Sequence, residues 1–61
     1  MKMIRLTLMS SEERVLFNPK AIESIAEGGS EGKQFTWVNL AHGEWRVEES
    51  FETVWTMIRQ C

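Results

Sequence analysis

The sequence predicts a small α+β domain, a strongly curved antiparallel sheet of about four or five short strands with one C-terminal helix packed across one face. Three observations predict it. Apolar and polar residues alternate from Met3 to Met9, with Ile4, Leu6 and Leu8 on one side, which is the period-2 pattern of a half-buried strand. An aromatic hairpin follows later, Phe35–Leu40, a turn at His42-Gly43, then Glu44–Glu48. After it, Phe51, Val54, Trp55 and Ile58 fall at i, i+3, i+4 and i+7, one stripe of an amphipathic helix. Val38, Leu40, Trp45 and Val47 can meet that stripe, so the core is expected there.

After the first strand, Ser10-Ser11-Glu12-Glu13 is a polar break and Arg14–Phe17 a second β-prone run, so the two form a hairpin with Val15 and Phe17 on one face. Asn18-Pro19 ends it. Asn accepts a bond from a following N–H and Pro has the φ of a first helical residue, which predicts one helical turn over Pro19–Ile22. Residues 22–27 fit helix spacing at Ile22, Ile25 and Ala26, yet a strand over Glu23–Glu27 supplies the partner the sheet needs. Gly28-Gly29-Ser30-Glu31-Gly32-Lys33 has the composition of a mobile loop.

If His42 and Gly43 are the two central turn residues, Leu40 lies opposite Trp45 and Val38 opposite Val47. That register leaves Phe35, Trp37 and Asn39 on the second face beside Arg46 and Glu48. A three-residue turn would invert the pairing and put Trp37 with Val47. Ser50 is the expected N-cap of the helix, with Glu52 near its positive end and Arg59 near its negative end.

Composition excludes several function classes. A chain of 61 residues is a single domain with a marginal core. One cysteine and one histidine can neither bridge internally nor complete a four-ligand zinc site, so self-association is the expected way to complete that core. The charge of −2, with no run of Lys or Arg, argues against a nucleic-acid footprint. No segment has the length to span a bilayer, and Arg5 interrupts the apolar start, so a cytoplasmic location is expected.

No nucleophile–base pair or metal constellation is present, and no catalytic residue, metal ligand or cofactor is assigned. The 28–33 segment does not match a phosphate-binding P-loop, because Glu27 stands where the first Gly belongs and Gln34 replaces the hydroxyl residue. His42 reads as a turn-tip residue and Cys61 as incidental. Glu48, Glu49 and Glu52 read as a solvated junction. The second face of the hairpin stands apart: Trp and Arg dominate binding hot spots, so Phe35, Trp37, Asn39 and Arg46 are the expected interface. For a small-molecule ligand, Gly28, Gly29, Gly32 and Lys33 are the candidate loop.

Ile4-Arg5-Leu6-Thr7 at the start, Asn18-Pro19-x-x-Ile22-x-x-Ile25, Trp37-Val38-Asn39-Leu40 ending in Gly43, and Val47-x-Glu49-Ser50-x-x-x-Val54-x-x-x-Ile58 resemble the FlbD/SwrD-type proteins of bacterial flagellar gene clusters and their short phage and prophage relatives. The resemblance covers nearly the whole chain and implies the architecture above, with no catalytic residue to carry over. It implies a non-enzymatic interaction module with a partner protein, of bacterial or phage origin, to which the marginal core and the aromatic surplus add the expectation of a homo-oligomer. Two other classes stand beside it. One is a phage protein that binds a nucleotide signal between subunits, with Trp37, Arg46 and the 28–33 loop as its lining. The other is a nucleic-acid binder, since the strand and helix order also resembles the first half of LytTR-type domains, although the acidic balance argues against DNA binding.

Overall fold

The computed structural model describes residues 2–61. Its elements are β1 (Ile4–Thr7), β2 (Arg14–Phe17), a 3-10 turn (Pro19–Ala21), β3 (Ile22–Ser30), β4 (Lys33–Leu40), β5 (Gly43–Val47) and α1 (Phe51–Arg59). The fold is α+β, with antiparallel strands in two sheets, β1-β2 and β3-β4-β5. A bridge between Leu8 and Val47 joins them. Beside that bridge, Met9 N donates to Arg46 O and Glu48 N to Thr7 O, both at 2.9 Å. The chain therefore curves through the spatial order β2-β1-β5-β4-β3, and β2 and β3 are its open edges.

The alternation in β1 is realised: Ile4 and Leu6 are buried and Arg5 is exposed. Asn18 Oδ1 accepts from Lys20 N at 3.0 Å and opens the 3-10 turn at Pro19. The segment after it is strand, extending past the expected Glu23–Glu27 to cover Ile22–Ser30. A bulge explains why it also reads as helix. The register shifts between Ile22, which pairs with Leu40, and Ser24, which pairs with Asn39. The extra residue places Ile22 and Ile25, three apart, on the same core-facing side.

Two expectations for the connections are corrected. Gly28–Lys33 is not a loop: Gly28, Gly29 and Ser30 pair with Phe35, Gln34 and Lys33, and only Glu31 and Gly32 turn the chain. Both turn residues have positive φ, 52° and 80°. This is the type I′ geometry whose twist matches two antiparallel strands, and glycine composition does not distinguish it from a longer loop. In the second hairpin, Ala41 and His42 form the turn and Gly43 begins β5, so Leu40 faces Gly43 and Val38 faces Trp45. The expected pairs, Leu40 with Trp45 and Val38 with Val47, are displaced by two residues. Because side chains alternate with period two, that slip leaves every residue on its expected face.

The core consists of Ile4, Leu6, Phe17, Val38, Val47 and Val54. Trp45 packs at its margin, edge-to-face with Phe17 at 6.1 Å between ring centroids. Ser50 caps α1, its Oγ accepting from Thr53 N at 3.2 Å. The helix presents Val54, Met57 and Ile58 to the core, whereas Trp55, expected in the buried stripe, is 48% exposed beneath the Arg59 guanidinium. The buried face is centred one step to the other side of Val54, which carries Trp55 to the rim.

Glu49 locks this arrangement. Its carboxylate accepts from Thr7 N at 2.9 Å and from Thr7 Oγ1 at 3.0 Å. Its carbonyl accepts from Oγ1 of the fully buried Thr36 at 2.7 Å. Expected as part of a solvated junction, Glu49 instead ties the end of β1 and the middle of β4 to the residue before the helix cap. No helix among the described residues is long and apolar enough to cross a membrane.

Candidate functional site: an aromatic sheet face

The sheet face turned away from α1 carries the side chains singled out in the hairpin. Phe35, Trp37 and Asn39 alternate along β4 on this side, and Arg46 on β5 stands directly across from Trp37. Phe35 and Trp37 meet edge-to-face at 5.5 Å and 78°, the arrangement that sets the positive edge of one ring against the negative face of the other. The Arg46 guanidinium carbon lies 5.7 Å from the Phe35 centroid and 5.8 Å from that of Trp37. One cation thus covers both rings, held by their quadrupoles. Phe35 is buried although it lies outside the main core, Trp37 is half-buried and Arg46 is exposed.

The strand beyond β4 explains how Phe35 is buried on a face without a helix. Gly28 lies across from Phe35 and Ala26 across from Trp37. A methyl group placed on Gly28 would come within 2.4 Å of Phe35 Cε1 and 2.9 Å of Trp37 Nε1. The rings therefore lie directly on the Gly28 backbone, an aromatic cover over a strand glycine. Composition suggests a ligand loop at Gly28 and leaves Ala26 and Ser24 unassigned. The signal was the run of small residues in β3, legible only once β3 is known to pair with β4.

Beyond Trp37, Asn39 Nδ2 donates to Ser24 Oγ at 3.0 Å. Asn39 Oδ1 is buried with no hydrogen-bond partner among the described residues. The four expected interface residues thus share one face, three of them in a single stack. The four expected loop residues are dispersed: Gly28 floors the rings, Gly29 pairs with Gln34, Gly32 occupies the turn and Lys33 pairs with Ser30.

The remaining candidates stand apart from this face. His42 is exposed in the β4–β5 turn. Cys61 is exposed, its thiol donating to Met57 O at 3.2 Å. Among the described residues, no group of three or more His, Cys, Asp or Glu side chains is placed to hold a metal ion. The arrangement offers a half-buried indole set edge-to-face on Phe35 and one exposed cation, with a buried unsatisfied amide oxygen close by, groups suited to recognition.

No protein-family description, curated protein or solved structure matches this chain.

Proposed function

We propose that this protein is a non-enzymatic interaction module, of the FlbD-like bacterial or phage kind, that self-associates and holds a partner protein through its aromatic sheet face. The observation that carries the reading is the Phe35–Trp37–Arg46 stack, with its half-buried Trp and exposed Arg on a face that α1 does not cover. Aromatic and arginine side chains contribute the most binding energy per residue when they are packed and desolvated at the centre of an interface. A core this small also leaves stability to be gained by burying more apolar surface.

Sedimentation and circular dichroism of Trp37→Ala test it. The expected result is weakened assembly with retained helical signal. A variant that assembles like the wild type but melts much earlier would make Trp37 a core residue and remove the proposal.

A second reading is favoured by one observation, the buried and unpartnered Asn39 Oδ1 beside Trp37 and Arg46. A ring that stacks on Trp37, carries an anionic group for Arg46 and donates to Asn39 once its amide turns outward would satisfy all three, as a nucleotide would. Mass spectrometry of the denatured, freshly purified protein checks this reading, and only a retained small molecule supports it.

A further inference from the structure

The two open edges of the sheet are not equivalent. β2 is four residues long, begins with Arg14 and is followed closely by Pro19, all features that discourage edge pairing. β3 is nine residues long and contains no Pro, Lys or Arg. Its hydrogen-bonding phase follows from the hairpin it forms. Across the two-residue turn at Glu31 and Gly32, Ser30 and Lys33 must exchange both backbone bonds, so bonded pairs recur at Gly28–Phe35, Ala26–Trp37 and Ser24–Asn39. The N–H and C=O groups of Ile25, Glu27 and Gly29 therefore face the free edge.

We infer that a second copy of the chain pairs antiparallel with this edge, β3 against β3, about a two-fold axis at Ala26. The inference rests on the self-association in the proposed function and supplies its contact surface. Ala26 is the midpoint of Ile22–Ser30, so this register pairs the strand over its full length. It sets Ile25 opposite Glu27 of the partner, where the outward backbone groups of both residues bond, and Glu23 opposite Gly29 of the partner. Centring the axis on Ile25 would oppose Glu23 to Glu27, and centring it on Glu27 would oppose that residue to its own copy. Like charges directly opposite destabilise a strand pair, which selects the register at Ala26.

Side-chain size agrees. Ala26 then faces its own copy in a non-hydrogen-bonded pair, the type in which side chains approach most closely, and Ser24 faces Gly28. These small residues line the aromatic face, so the two Phe35–Trp37 pairs flank the seam and form one continuous surface across the dimer.

Glu27→Pro tests the contact selectively. Proline there removes an N–H that β4 does not use, at an edge position that tolerates it. Symmetry removes that bond twice, so the dimer dissociation constant rises at least about tenfold. Circular dichroism should be retained. Independently of folding in that variant, Ala26→Cys in a Cys61→Ser background should form a disulfide-linked dimer under mild oxidation, because facing Cα atoms about 4.5 Å apart lie within disulfide reach. Ser24→Cys in the same background should not, since its own counterpart lies four residues along the strand. Crosslinking at Ser24 but not at Ala26 overturns the inference. A dimer unaffected by Glu27→Pro but broken by Trp37→Ala also overturns it and leaves the proposed function standing. A wild type that is monomeric throughout removes both.

Discussion

Gly28 shows most directly how one residue without a side chain positions two large ones. Any β-carbon there meets Phe35 Cε1 and Trp37 Nε1 at 2.4 and 2.9 Å, and Phe35 is only 6% exposed, so the rings have little room to retreat. Gly28→Ala is therefore expected to destabilise the protein by about 1–3 kcal/mol, the usual cost of overpacking, despite the better strand propensity of alanine. Urea unfolding measures this. Tryptophan fluorescence should shift at the same time, because Trp37 is displaced from its glycine floor. An unchanged midpoint would mean that the rings do not depend on Gly28 for their position.

At the scale of elements, α1 separates hydrophobic character from burial. Trp55 and Val54 are neighbours in a stripe that looks uniformly apolar, yet Val54 is fully buried and Trp55 half-exposed. One contact of Trp55 is with Arg59, whose guanidinium carbon lies 5.8 Å from its ring, and such exposed pairs contribute about 0.5–1 kcal/mol. Trp55→Ala should accordingly cost clearly less than the roughly 3–5 kcal/mol of truncating a fully buried tryptophan. A loss of several kcal/mol would place Trp55 in a buried contact. The helix is secured at its start instead, by the Ser50 cap and by Glu49, which joins it to β1 and β4.

For the whole molecule, the decisive quantity is the size of the core. Leu6 is fully buried on β1, at the centre of a cluster that joins the two sheets to α1. Leu6→Ala should cost roughly 2–5 kcal/mol. A single-core domain of this size holds only about 3–5 kcal/mol in total. The variant is therefore expected to be largely unfolded in the absence of denaturant, as one-dimensional NMR dispersion will show; a well-folded spectrum would mean that stability resides outside this cluster.

The sequence by itself determined the period of β1, β4 and α1 and which residues share each face of the β4–β5 hairpin. Alternation in β1 and β4, the Asn18-Pro19 break and the Ser50 cap all act over a few residues, where backbone chemistry is local. The Phe35, Trp37, Asn39 and Arg46 face was legible for the same reason, since a two-residue slip in register does not change which side a strand residue faces. Tertiary structure decided what depends on a second strand or a neighbouring layer. Residues 22–27 are strand because β4 pairs with them and a bulge absorbs their helix-like spacing. The 28–33 segment is a hairpin because Glu31 and Gly32 complete a tight turn with both φ values positive. Trp55 lies at the rim and Glu49 within the junction because the helix's rotation and the proximity of Thr7 are set by packing across the fold, between residues too distant in the chain for local pattern to relate.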